Sequence, residues 1–194
     1  MPKTASQNAL IKERRKNQIM DTALRLFANY GIDNVTIDNI SSSMKISHGL
    51  FYHYFEDKED LIRTLVAKAK EMFLSNLESF DADNQTPAVL LRQITNSILN
   101  NIKSSDAQAY YVYLVLTLDY HNEQATHDFS IQLKEYLYKL AKKGREEGIF
   151  INVDEKDLVT LYLSTLQGIC YHRIKYKKSF QVPELDSILA LILK

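Results

Sequence analysis

The chain of 194 residues has one cysteine, no tryptophan, three prolines and five glycines, and its 24 basic side chains are matched by 24 acidic ones. Each scarcity excludes something. A lone Cys170 permits neither an internal disulfide nor a cysteine-built metal site, and points to a reducing, cytoplasmic setting. Glycine and proline together reach roughly a third of their average share, whereas an all-β chain needs such residues at every hairpin. Long helices are the expectation. No apolar run approaches the roughly twenty residues that span a bilayer, and the basic, polar stretch from Met1 to Lys16 lacks the apolar core of a secretory signal. A formal net charge of zero gives no overall attraction to phosphate, so any nucleic-acid reading must rest on local charge and motif.

What is present is a succession of amphipathic stripes. Ile19, Ala23, Leu26, Phe27 and Tyr30 recur at helical spacing ahead of Gly31, where a helix stop is expected. Thr36 can cap a short helix to about Met44, and Ser47 can cap another through Tyr54. Asp57, with Asp60 three places on, opens a fourth helix bearing Leu61, Leu65, Ala69, Met72, Phe73 and Leu77. Past a polar stretch at 81–85, Pro87 opens a fifth with Leu91, Ile94, Ile98 and Ile102. A sixth carries Tyr110, Tyr113, Leu114 and Leu118, a seventh Phe129, Leu133, Tyr136, Leu137 and Leu140, and an eighth, capped by Asp154, runs from Leu158 through Ile169. Pro183 reads as the start of a ninth helix that continues to the C-terminus. The expected fold class is all-α, with about nine helices.

A capped helix, a tight turn and a second capped helix have the size and layout of a helix-turn-helix, whose second helix enters the DNA major groove. The segment Val35–Leu61, VTIDNISSSMKISHGLFYHYFEDKEDL, resembles the TetR family of bacterial transcription regulators. Thr36, Ile40, Ser47, Gly49, Tyr52, Tyr54, Phe55, Lys58 and Leu61 fall in register with the family's motif, and the preceding helix with Ala23, Leu26, Phe27 and Gly31 also fits. The resemblance covers the first third of the chain; the rest agrees only in length and helical layout. Three positions depart from the pattern: Lys45 stands where the family has glycine in the turn, Ser43 replaces the small apolar residue late in the second helix, and Leu50 replaces a common Thr or Ser of the reading helix.

The resemblance implies an N-terminal arm at 1–11, a helix-turn-helix domain at 12–72 with its motif at about 36–54, and a helical effector-binding and dimerisation domain at 73–194. It implies a sequence-specific DNA-binding transcriptional regulator: a ligand-responsive repressor that binds a palindromic operator as a homodimer and is released by a small amphipathic or aromatic effector, which acts by shifting the fourth helix. The alternatives are a constitutive regulator, a redox-responsive one acting through Cys170, or a helical interaction protein that does not bind DNA.

Roles follow residue by residue. Thr36, Ser47, Tyr52 and Lys58 carry hydroxyls and an ammonium suited to phosphates, with Lys45 in the turn beside them. His48, Gly49, Leu50 and His53 are the candidates for reading base edges, Leu50 offering only apolar contact to a thymine methyl. Phe51, Tyr54 and Phe55 are expected in the small domain's core. Residues 1–55 hold seven Lys or Arg against four acids, a local charge of +3 offset by −3 in the remainder. The run Lys12–Lys16 is either a phosphate-binding arm or a solvated first turn.

In the second domain, six of the twelve tyrosines fall at 110, 111, 113, 120, 136 and 138. Phe73, Tyr110, Tyr113, Leu114, Thr117, Phe129, Tyr136, Gln167 and Tyr171 are candidate walls of an effector cavity, or else ordinary core. Leu158, Leu161, Thr165, Gly168, Leu189 and Ile192 are candidate dimer contacts, or cover the monomer's own core; a dimer would place two reading helices roughly 34 to 36 Å apart. No catalytic set converges, and neither cofactor nor metal is expected: Cys170 and His172, two apart on a helix, face different ways. His121 and His127, with Asp119, Glu123 and Asp128, read as a solvated interhelix loop.

Overall fold

The computed structural model describes residues 5–79, 85–117 and 124–194, with side chains described in those ranges except at residues 5, 6, 8, 74, 76–79 and 124–130. Among the described residues the chain is helical almost throughout. The order is α1 (Ala5–Tyr30), α2 (Ile37–Met44), α3 (His48–Tyr52), α4 (Lys58–Ser79), α5 (Pro87–Ser104), α6 (Asp106–Thr117), α7 (Gln124–Glu146), α8 (Glu155–Tyr176), a 3-10 turn (Lys177–Ser179) and α9 (Leu185–Leu189). The chain divides into two compact units, Met1–Leu65 and Val66–Lys194, the boundary falling inside α4. Among the described residues no helix is long and apolar enough to cross a membrane.

In the first unit, α1 begins well ahead of the apolar stripe, at Ala5, and Leu10 and Ile11 on its early turns are exposed. That part of the helix has no buried face, which is why hydrophobic spacing placed the start later. From Ile19 onward α1 buries Ile19, Ala23 and Phe27 against Ile40, Phe51, Phe55 and Leu61, all at most 1% exposed. Burying a side chain of that size contributes about 1.5–3 kcal/mol, enough to hold two helices too short to form alone. Gly31 ends α1 in the left-handed region at φ 82°, its N–H donating to the Phe27 carbonyl at 2.9 Å. Asp57 accepts from the Asp60 N–H at 2.6 Å, while the Asp60 carboxylate accepts from the Glu56 N–H at 3.0 Å, a reciprocal closure at the start of α4.

The second unit is built on α5, α7 and α8. Leu91, Ile94, Leu99, Ile102, Leu133, Leu137, Leu166 and Cys170 fill its centre. Thr86 caps α5 and Asp154 caps α8, each at the expected place. Ser105 alone separates α5 from α6, and its hydroxyl accepts from the Gln108 N–H at 3.1 Å. One polar pair crosses the core. The Thr95 hydroxyl donates to the Leu91 carbonyl at 2.7 Å, so the Tyr162 hydroxyl, 2.9 Å away, is the donor in their mutual bond.

The ninth helix differs from expectation. It spans only Leu185–Leu189, after which the chain turns and pairs backbone to backbone: Phe150 and Leu193 form an antiparallel bridge, and the Ile151 N–H donates to the Ile192 carbonyl at 2.8 Å. The N–H groups of residues 190–193 still turn back onto Asp186, Ile188 and Leu189, but the Ile192 carbonyl and the Lys194 N–H, the latter to the Ile149 carbonyl at 3.0 Å, are taken by the 149–151 segment, so the helix goes no further. The bridge also explains Gly144. A Cβ there would lie 2.5 Å from the Phe150 ring, which is itself 2% exposed.

Cys170 is fully buried, and burial pushes its thiol up to about 12. Thiolate is the reactive form, so this environment argues against a redox-sensing role. Two results are expected. Native protein at pH 8 leaves Cys170 unalkylated by iodoacetamide while urea-unfolded protein reacts. Folding stability also declines from about pH 9 upward: the folded thiol holds its proton more tightly than the unfolded one, so the advantage is complete below the unfolded value of 9.0 and is lost as pH climbs toward about 12. Rapid native alkylation would overturn the inert assignment.

Candidate nucleic-acid interface

The candidate interface is the pair α2 and α3 with the turn between them. The Thr36 hydroxyl accepts from the Asn39 N–H at 3.2 Å, and the Asn39 side chain accepts from the Thr36 N–H at 2.9 Å, so both ends of the cap are closed. α2 ends at Lys45, which adopts the left-handed conformation at φ 54°, ψ 45°; its N–H donates to the Ser42 carbonyl, and the next N–H, of Ile46, to that of Ser41. The turn therefore keeps the geometry that favours glycine while carrying a lysine, at a conformational cost of roughly 1 kcal/mol. The Ser47 hydroxyl accepts from the Leu50 N–H at 3.2 Å and starts α3.

Beneath this surface Phe51 and Phe55 are buried with ring centroids 5.7 Å apart, as expected of core. Tyr54 is not core: it is half-exposed, its ring edge-on to that of His53 at 5.1 Å. The Lys16 ammonium lies 5.2 Å from the centre of the Phe55 ring, so the last cation of the basic run packs on the domain instead of forming a free arm. The Ser41 hydroxyl is buried with no hydrogen-bond partner. Ser41→Ala is accordingly expected to raise stability by about 1 kcal/mol, read as a higher urea midpoint; a lower midpoint would mean that the hydroxyl is satisfied.

Of the nine residues expected to meet DNA, Thr36, Lys45, Ser47, His48, Gly49, Tyr52 and His53 are exposed and Leu50 is half-buried. Gly49 has open space where a Cβ would stand, so nothing inside the protein requires a glycine there. Lys58 departs from the expected phosphate role. Its ammonium donates to the Ile32 and Val35 carbonyls, both at 3.1 Å, and thereby ties the α1–α2 loop to the start of α4. A helix-breaking glycine and a polar loop leave carbonyls without helical partners, and a nearby lysine answers them.

Asp38, which the motif did not single out, is paired with His48 across the two helices. An exposed acid in the first turn of α2, ahead of an otherwise polar surface, was the available signal.

The second unit sorts its candidates differently. Phe73 lines a cavity of about 60 Å³ with Ala69, Met72, Ile98, Tyr111, Val112, Val115 and Leu116. Tyr110 and Leu114 are buried, Tyr113 is half-buried, and Thr117 is exposed with its hydroxyl donated to the Tyr113 carbonyl. Gln167 donates to the Leu116 carbonyl at 2.8 Å, and the Tyr136 hydroxyl is buried without a partner, which raises its ionisation range. Tyr171 is no wall of a cavity: it is 49% exposed on the outer face of α8 beside Lys175. The side chains of Phe129, His127 and Asp128, together with Asp119, Tyr120, His121 and Glu123, lie outside the described residues.

Among the expected dimer contacts, Leu158, Leu189 and Ile192 are buried in the chain's own core, whereas Leu161 is 60% exposed and Thr165 and Gly168 are partly exposed. Because α8 is apolar on more than one side, periodicity alone did not separate inner from outer positions. Outside lies an apolar groove of about 200 Å³, lined by Leu158, Leu161, Tyr162, Thr165, Ile188, Leu191 and Ile192. Leu191, 57% exposed, was not foreseen.

Residues 19–65, spanning most of the first unit, match the family described as bacterial regulatory proteins, tetR family. These residues form a TetR-family domain. TetR-family members are transcription regulators, and in this chain the helix-turn-helix forms the DNA-binding domain. It is similar to the biofilm operon icaADBC HTH-type negative transcriptional regulator IcaR of Staphylococcus epidermidis, 25% identical over 175 residues that cover 87% of this chain and 89% of that protein. Its fold is that of the ketosteroid transcriptional regulator KstR2 of Mycobacterium tuberculosis, with a TM-score of 0.73 at 18% identity over 93% of this chain and 95% of that one. AibR, solved in complex with isovaleryl coenzyme A and operator DNA, gives a TM-score of 0.69 at 17% identity over 91% and 94%.

Proposed function

We propose that this regulator is a cytoplasmic, ligand-responsive repressor that binds a palindromic operator as a homodimer and is released by a small amphipathic effector. Residues 12–72 read DNA and residues 73–194 bind effector and partner copy. The observation that carries the reading is the α2–α3 surface, where polar and small side chains stand exposed over a sealed aromatic core. Ser47, Tyr52, Thr36 and Lys45 position the phosphates; His48, Gly49, Leu50 and His53 meet base edges. IcaR, a negative regulator, supports repression, and AibR, solved with both operator DNA and a coenzyme A thioester, supports control by a small molecule.

The dimer face is the outer side of α8, with Leu161, Thr165, Gly168 and Tyr171, continued by Leu191. A second copy is the occupant that fits, because the groove is apolar and Gly168 leaves open space for a close helix.

A gel-shift titration against genomic fragments at two salt concentrations tests the core of this reading: retention must be sequence-specific and weaken steeply with salt. Tyr52→Phe is expected to weaken binding to every site by a similar factor, and His48→Ala to change the order of preference among sites. Identical action of both on all sequences would remove the division into positioning and reading residues. A small molecule that lowers operator affinity without contacting residues 47–53 supports the inducible form; a broad metabolite screen with no such compound leaves constitutive repression.

A further inference from the structure

We infer that Asp38 is a positioning residue for sequence reading: it grips Nε2 of His48 and so fixes which edge of the imidazole the protein offers to DNA. This rests on the reading of His48 as a base-contacting residue given above.

The two side chains come from different helices of the motif, Asp38 from the first turn of α2 and His48 from the first position of α3. Their contact joins Nε2 to Oδ1, and among the described residues neither side chain has another hydrogen-bonding partner. Both remain largely exposed, at 53% and 69% of their side-chain surface, so the pair contributes little to the fold as a surface ion pair. What it does supply is orientation. A histidine with one nitrogen held by a carboxylate has its ring plane and tautomer set, and the other nitrogen is then the one presented outward. Here that nitrogen is Nδ1. It accepts from an exocyclic amine of adenine or cytosine when the ring is neutral, and donates to a purine N7 when the ring is protonated.

The carboxylate has a second effect. An unpaired Asp38 on a surface meant for phosphate would repel the backbone, and pairing with His48 offsets that charge when the imidazole is protonated. Lys45 is the only other charged side chain of the motif between α2 and α3, and it sits in the turn. His53, the other imidazole of this surface, stacks edge-on against Tyr54 and has no carboxylate partner among the described residues. Position 48 is therefore where a rigid polar reader is built, and position 53 carries a looser one.

The test is a double-mutant cycle on the full-length protein, using a panel of duplexes in which each operator position is varied. Asp38→Ala should flatten discrimination at the same base positions that His48→Ala flattens, by about tenfold for each, as expected for loss of one good base contact. The double variant should be no worse than His48→Ala alone, and Asp38→Asn, which keeps an oxygen facing Nε2, should restore most of the preference. The thermal midpoint of all variants should stay near that of the parent. Additive losses, a change in affinity uniform across the panel for Asp38→Ala, or a failure of Asp38→Asn to rescue would overturn the inference. If His48→Ala itself leaves preference unchanged, the reading role of His48 fails, and with it this inference; if only Asp38→Ala is silent, the inference fails alone.

Discussion

Asp106→Asn is expected to lower the stability of the second unit by about 2–3 kcal/mol, seen as a clear fall in the urea midpoint. Asp106 opens α6 and holds Arg173 of α8 at 2.6 Å, with Lys177 at 3.6 Å on its other oxygen. The Arg173 guanidinium is only 8% exposed, so removing its counter-charge leaves a cation in the core with no compensation. Asp106 itself is 32% exposed, which places the loss toward the low end for a broken buried pair. Lys177, meanwhile, sits at φ 54° in a region that only glycine occupies without strain, and loses one of its anchors. Arg173→Met should be better tolerated, because it removes the buried charge along with the bond. An Asp106→Asn protein as stable as the parent would show that water reaches Arg173.

The second large effect concerns assembly. Leu161→Glu combined with Leu191→Glu is expected to convert the proposed dimer into monomers by light scattering, and to reduce affinity for a palindromic operator by about a hundredfold or more, since the second half-site is then no longer bound intramolecularly. Both leucines are more than half exposed, so the thermal transition of the isolated chain should barely move. Dimers that survive the double change would place the partner copy elsewhere. The same experiment carried out with Leu158→Glu would mislead, because Leu158 is 4% exposed and its replacement damages the core whether or not a dimer forms.

How much of this was legible in the sequence varied with the kind of signal. Caps are local, and Thr36, Ser47 and Asp154 all fall where side-chain chemistry placed them, as does the start of α5 at Pro87. The helix-turn-helix was legible for the same reason, since its spacing and its buried Phe51 and Phe55 are set within a few residues. Lys45 was legible as a departure, and the left-handed turn shows that a lysine can carry a glycine's conformation when its flanking N–H groups are satisfied.

What failed depended on partners far along the chain. Nothing near Lys58 signals that its ammonium will be taken by carbonyls 23 and 26 residues away. The last residues read as a continuing helix until the 149–151 segment is there to take the Ile192 carbonyl and the Lys194 N–H. Tyr171 and Leu158 lie on one helix, on different faces that both carry apolar residues, and only the neighbours of α8 decide which face is in and which is out. The effector walls scattered for this reason too, with the described cavity taking Phe73 and four residues of α6 that the tyrosine count had not distinguished.

The link between Arg92 and Asp186, 94 residues apart, and the burial of Ile188, Leu189 and Ile192 against α5, α7 and α8 have a consequence for the order of biosynthesis. The second unit's core cannot close until residue 192 has left the ribosome, whereas the first unit's own connections, such as Lys16 to Phe55 and Lys58 to Ile32, all lie within its first 65 residues. The DNA-reading head is thus expected to close while more than half of the chain is still to be made, leaving the apolar faces of α5, α6 and α7 open until the C-terminal residues arrive.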